Sequence, residues 1–169
     1  MTVAQFDPER VLQTLQRYGV RFVVIGGLAG SLYGSPHVTF DLDLTPDPAA
    51  DNLERLAAAL RELNARIRTE GVEDGLAFDC SGAFLSRVEL LNLVTSAGEV
   101  DLAMNPIGTG GYAALAKTAI TVDIRGTRFL VAALEEVIRS KETADRPKDR
   151  LTLPALRALL ELRPPHQPD

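Results

Sequence analysis

The alternation of apolar and polar positions divides the chain into short elements. Asp7-Pro8 supplies an N-cap and a proline at the first helical position, and Val11, Leu12 and Leu15 then share one face before Gly19, which predicts a helix. Phe22–Ile25 is an unbroken apolar run that ends in Gly26-Gly27, as expected of a strand covered on both faces. Small residues from Leu28 to Tyr33 form a short segment, and Gly34-Ser35-Pro36 turns the chain. The next run alternates Asp41 and Asp43 with Leu42 and Leu44, so the leucines point into the core and the acids point together to the other face. Asp47-Pro48 repeats the helix start, and Leu53, Leu56, Leu60 and Leu63 then recur at 3-4-3 spacing as one buried stripe.

Thr69–Phe84 is rich in glycine and acids and reads as a loop, with a short strand near Leu76–Phe78. Val88–Thr95 and Glu99–Met104 are strands of a hairpin closed at Ser96-Ala97-Gly98, with Asp101 on the face opposite Val100 and Leu102. Gly108–Gly111 leads into a short helix over Tyr112–Lys117, and Ile120–Ile124 and Phe129–Val131 flank Arg125-Gly126 as a further hairpin. Leu134, Val137 and Ile138 mark a helix over Leu134–Ala144. Lys141 lies three and four positions after Ile138 and Val137, on the inward side, where a lysine is costly without a negative partner. Arg146-Pro147 breaks that helix, and a last one runs to about Leu162. A single domain over residues 1–163 with a frayed tail at 164–169 is expected.

Composition narrows the functional classes. The net charge of −5 over 169 residues gives no global attraction to nucleic acid or anionic membrane. Acids outnumber bases up to Ile124, and bases outnumber acids from Arg125 onward, so a local basic face is possible in the C-terminal third. The single Cys80 allows neither an internal disulfide nor a cysteine metal cluster. No apolar run has transmembrane length and MTVAQFDPER has no signal-peptide pattern, so a cytoplasmic protein with no membrane partner is expected.

Two carboxylates at i and i+2 of a strand stand about 7 Å apart at most on one face and repel each other unless a cation sits between them. A divalent cation is the simplest answer, and Mg²⁺ favours a few carboxylates together with phosphate oxygens. Gly26-Gly27 exposes backbone N–H groups just before a helix start, a natural anion site. Metal and phosphate sites side by side point to chemistry on a nucleoside triphosphate. Dinucleotide binding fits worse, because Gly26-Gly27-Leu28-Ala29-Gly30 lacks the G-x-G-x-x-G spacing.

Gly26-Gly27, the Leu28–Tyr33 segment and Asp41-Leu42-Asp43, in that order, resemble the nucleotidyltransferase superfamily. With Asp101 and the stretch LEEVIRSKETADRPKDRLTLPAL, the sequence is similar to the AbiEii-like group, which includes the MenT-type toxins, over about Phe22 to Leu156. The resemblance implies the nucleotidyltransferase fold: an α/β (α+β) domain with a mixed, mainly antiparallel sheet flanked by helices. It implies Mg²⁺ (or Mn²⁺)-dependent transfer of an NMP from an NTP to an acceptor hydroxyl. Asp41, Asp43 and Asp101 would be the catalytic, metal-holding acids, with Asp101 a ligand or general base. Gly26, Gly27, Ser31 and Lys141 would hold the triphosphate, and His37, Arg146, Lys148 and Asp149 are candidate substrate contacts. It further implies a toxin that modifies an RNA such as tRNA and is paired with a cognate antitoxin. One departure stands out: relatives often carry Arg-x-Thr-x-Asp where this chain has His37-Val38-Thr39-Phe40-Asp41, a side chain largely neutral at pH 7 in place of a fixed cation. His37 favours an alternative, a non-catalytic nucleotide-binding or interaction module on the same fold, which the intact Asp41, Asp43, Asp101 and Lys141 oppose. Acceptor and base preference are open at this level.

Overall fold

The structure, a computed structural model, describes residues 4–163; the predicted tail at 164–169 lies outside the described residues. Eight strands form one sheet in the order β4-β3-β5-β6-β2-β1-β8-β7. The central strands are β1 (Phe22–Ile25), β2 (Asp41–Pro46) and β6 (Gly98–Ala103). β1 runs antiparallel to β2 and parallel to β8 (Thr127–Val131), β2 runs parallel to β6, and the other neighbours pair antiparallel. The mixed, mainly antiparallel sheet is the expected one.

Helix α1 (Pro8–Arg17) starts as the sequence predicts, with Asp7 Oδ1 accepting the Arg10 N–H at 3.1 Å. The inward faces of β2 and β6 supply Leu42, Leu44, Val100 and Leu102, each at most 1% exposed, to a core shared with Leu53, Leu56 and Leu60 of α3 (Ala50–Glu62). Helix α3 begins two residues later than Asp47-Pro48 predicts. Asp47 is not its cap but a turn residue: Oδ2 accepts from Arg21 Nε at 2.7 Å and Oδ1 from the Ala49 N–H at 3.0 Å.

The stretch expected to be mostly loop is an edge hairpin, β3 (Arg66–Thr69) with β4 (Val72–Leu76), followed by the one-turn α4 (Gly82–Leu85). The strand expected near Leu76–Phe78 therefore ends at Leu76. Its outer strand reads Val-Glu-Asp-Gly-Leu, charged as sheet edges commonly are, so no apolar alternation betrays it. β3 pairs with β5 (Leu90–Thr95), which pairs along its full length with β6. Helix α5 (Gly111–Thr118) and the β7 (Ile120–Ile124)–β8 hairpin follow the expected order.

Helix α6 (Leu134–Ala144) ends on Asp145 in the left-handed conformation, φ 48°. Pro147 opens α7 (Pro147–Glu161) at once. Asp149, fully buried, closes this junction by accepting from the Arg146 backbone N–H at 3.2 Å and from Arg146 Nε at 2.7 Å.

Candidate active site

β1 passes directly into helix α2 (Gly26–Leu32), so the two glycines are the helix's first residues rather than a loop ahead of it. Gly26 has φ +67°, and a Cβ built there would run into the Asp43 carboxylate. Only glycine meets both conditions. A Cβ at Gly27 would lie 2.9 Å from Thr39 Oγ1, and that hydroxyl donates to Asp41 Oδ1 at 2.8 Å. The start of α2 is thus pressed against the strand that carries the acid pair.

Asp43 of β2 is in register with both Ile25 of β1 and Asp101 of β6, and Asp101 is in register with Asn92 of β5. The parallel β2–β6 pairing brings the third acid beside the first two. One ligand oxygen from each of Asp41, Asp43 and Asp101 lies within 4.8 Å of the others. Burial, then the charges of Asp41 and Asp101, push the Asp43 carboxyl up to about 7, against the pull of Lys148 and Lys141. Burial also raises Asp101, in spite of Arg68. Three hard oxygen donors with surplus negative charge fit a divalent cation, which would supply the missing positive charge.

The acids open into a cleft of ≈ 1150 Å³ that also receives Gly26, Gly27, His37, Lys141, Arg146 and Lys148. Two of the sequence candidates stand outside its lining. The Ser31 hydroxyl is turned inward to the carbonyls of Gly27 (3.1 Å) and His37 (3.3 Å). Asp149 is wholly buried and is the negative partner that the inward Lys141 requires, with Nζ 3.5 Å from Oδ1. Burial alone would raise the Asp149 carboxyl, but the Arg146 hydrogen bonds, aided by the charges of Arg146 and Lys141, hold it below the ordinary range. Asp149 therefore sits behind the cleft, fixing Lys141 and Arg146.

Arg68 was not singled out by sequence. It reaches from β3 across β5 to β6, bridging Glu99 and Asp101, with NH2 at 2.9 Å and 3.1 Å from the two Asp101 oxygens. No motif marks it, and only the strand order brings it to the triad. Apart from Lys148, the basic residues of the C-terminal third prove to be paired rather than free. Arg125 meets Glu9, Arg128 meets Asp123, Arg139 meets Glu136, Arg150 meets Asp145 and Arg157 meets Glu142. Lys148 has no ion pair among the described residues.

No protein-family model matches the sequence, and none of the curated proteins matches it. Solved structures do match. The lincosamide antibiotic adenylyltransferase LnuA, determined with lincomycin bound, superposes with TM-score 0.61 at 13% identity, over 90% of this chain and 95% of that one. ANT(2″)-Ia in complex with adenylyl-2″-tobramycin gives 0.55 at 16%, over 90% and 87%. A Thermotoga maritima protein provisionally named a nucleotidyltransferase gives 0.54 at 19%, over 95% and 98%.

The chain has the nucleotidyltransferase fold. At these identities the likeness speaks for the fold alone. Among the described residues no helix is long and apolar enough to cross a membrane.

Proposed function

We propose that the protein transfers an NMP from an NTP to an acceptor hydroxyl and releases pyrophosphate. One observation carries this reading: three mutually repelling carboxylates face a cleft whose adjoining flank holds Lys141, Arg146 and Lys148. A triphosphate and a cation together would neutralise that arrangement. The Gly26 and Gly27 backbone would approach the phosphates, as an early helix turn does. Lys141, held from behind by Asp149, and the unpaired Lys148 would take the charge of the departing pyrophosphate. Asp41, Asp43 and Asp101 would hold Mg²⁺ or Mn²⁺, which supplies charge neutralisation and activation of the attacking oxygen. The acceptor oxygen bonds to the α-phosphorus, the bridging bond to the β-phosphate breaks, and the hydroxyl proton passes to Asp101. Ser31 would act by bracing the first turn of α2 against the His37 carbonyl. His37 would line the entrance.

The AbiEii-like resemblance adds an RNA acceptor such as tRNA, a toxin role and a cognate antitoxin. These finer readings rest on the order of motifs. The pairing of the C-terminal arginines weighs against a broad phosphate-binding face. The test of the general reaction is pyrophosphate release from each NTP in Mg²⁺ and a cell extract. Wild type should turn over and Asp43→Asn should not. NTP binding without pyrophosphate from any fraction would favour the non-catalytic module.

A further inference from the structure

The cleft is chemically lopsided about the triad. Its cations, Lys141, Arg146 and Lys148, all come from α6 and α7. On the opposite flank the triad's sheet face continues across β6 and β5 and stays open. Asn92, in register with Asp101, is exposed, and Leu90, in register with Ala103, is 72% exposed. Five of the nine exposed large hydrophobics among the described residues line this one cleft: Val38, Phe40, Leu90, Ile107 and Leu151. Apolar exposure is therefore gathered at the cleft rather than scattered, the mark of a binding surface. The β5–β6 flank is also acidic. Glu99 and Asp101 share the single guanidinium of Arg68, and among the described residues the exposed Glu89 side chain meets only the Asn105 amide, at 3.2 Å.

We propose that this flank is the acceptor subsite, and that the acceptor is a small, hydroxyl-bearing molecule with an amine and an apolar face. The proposal rests on the nucleotidyl-transfer reading above and narrows it. The apolar face would lie on Leu90 and Ile107, the ammonium would meet Glu89, and the hydroxyl would approach Asp101 while pyrophosphate leaves toward α6 and α7. A polyanion fits this flank badly. It would bring phosphates to a surface whose only cation is already shared by two carboxylates, and it would leave the apolar side chains uncovered.

The test uses α-labelled NTPs, Mg²⁺ and an extract of the organism that makes the protein, separated into RNA, protein and low-molecular-weight fractions. The expected product is labelled, of low molecular weight, resistant to nuclease and protease, and retained on both reverse-phase and cation-exchange media. Leu90→Ser and Glu89→Gln, both at exposed positions, should each lower kcat/KM for that product about tenfold, the effect of one lost apolar or charged contact. The Kd for NTP, read by calorimetry, should stay unchanged. Label in RNA or protein, or a small-molecule product indifferent to both substitutions, would overturn the subsite while leaving nucleotidyl transfer intact. No label and no pyrophosphate from any fraction would remove the transfer reading and the subsite with it.

Discussion

Arg68 NH2 lies 2.9 Å and 3.1 Å from the two carboxylate oxygens of Asp101, although the residues sit on strands separated by β5 in the sheet. The guanidinium is a resident counter-charge in direct contact with the triad, and it competes for the oxygens that a metal ion would use. Arg68 is 30% exposed and Asp101 18%, so the pair ranks between surface and buried ion pairs. Arg68→Gln should cost about 1–2 kcal/mol of metal-free stability. It should also tighten Mn²⁺ binding, because Asp101 is released. Thermal melts and Mn²⁺ titration by electron paramagnetic resonance read the two effects separately. Unchanged Mn²⁺ affinity would show that Arg68 does not contend for Asp101.

Asp43 makes the metal-free protein pH-sensitive. Its carboxyl stands at about 7 in the folded chain against 3.8 for the free group, so between those values the folded state binds more protons than the unfolded one. Stability therefore falls as pH rises from about 4 to about 7 and levels off above. Asp43→Asn should flatten that slope and raise the metal-free melting temperature at pH 8. Mg²⁺ should raise the melting temperature of wild type at pH 8 but not that of Asp43→Asn. A wild-type stability that climbs through this window would contradict the repulsion in the triad.

The triad was legible in the sequence because its signal is local. Asp41 and Asp43 alternate with Leu42 and Leu44, and Asp101 alternates with Val100 and Leu102, so period two alone sets acids on one face and leucines on the other. The parallel register that joins the two strands is not in the spacing and emerges only in the fold. Arg68 was illegible for the converse reason. Its strand is short, charged and at the edge region, and its partner is chosen by strand order. The resemblance, through Arg-x-Lys-Asp, makes Asp149 a candidate substrate contact. Only the tight α6–α7 junction shows that it is turned inward and is wholly buried.

Lys148 and Asp149 are neighbours with opposite expected behaviour. Lys148 is exposed and Asp149 is buried beneath Lys141 and Arg146. Lys148→Ala should weaken NTP binding by about 1.5–3 kcal/mol, a charge-assisted contact to phosphate, and shift stability by less than about 0.5 kcal/mol. Asp149→Ala strips the α7 cap and leaves Lys141 and Arg146 without their partner, and should cost about 3–5 kcal/mol in stability. Calorimetric NTP titration beside chemical denaturation reads both. A Lys148→Ala variant with wild-type NTP affinity would take that residue out of the phosphate site.

Gly26 and Gly71 separate backbone strain from close approach. Both have positive φ, +67° and +79°, but a Cβ at Gly26 would collide with the Asp43 carboxylate while one at Gly71 would meet nothing within 4 Å. Gly71→Ala should therefore show only the conformational cost of a side chain in the left-handed region, about 1–2 kcal/mol. Gly26→Ala carries the same cost and must in addition move either the start of α2 or the Asp43 side chain. Moving Asp43 breaks the triad, so Gly26→Ala should lose divalent-cation binding as well as stability, and Gly71→Ala should keep its cation binding. Denaturation of both variants, followed by Mn²⁺ titration of each, decides the matter. Equal stability losses with Mn²⁺ binding retained in both would mean that the α2 start does not press on Asp43, and Gly26 would then be an ordinary turn residue.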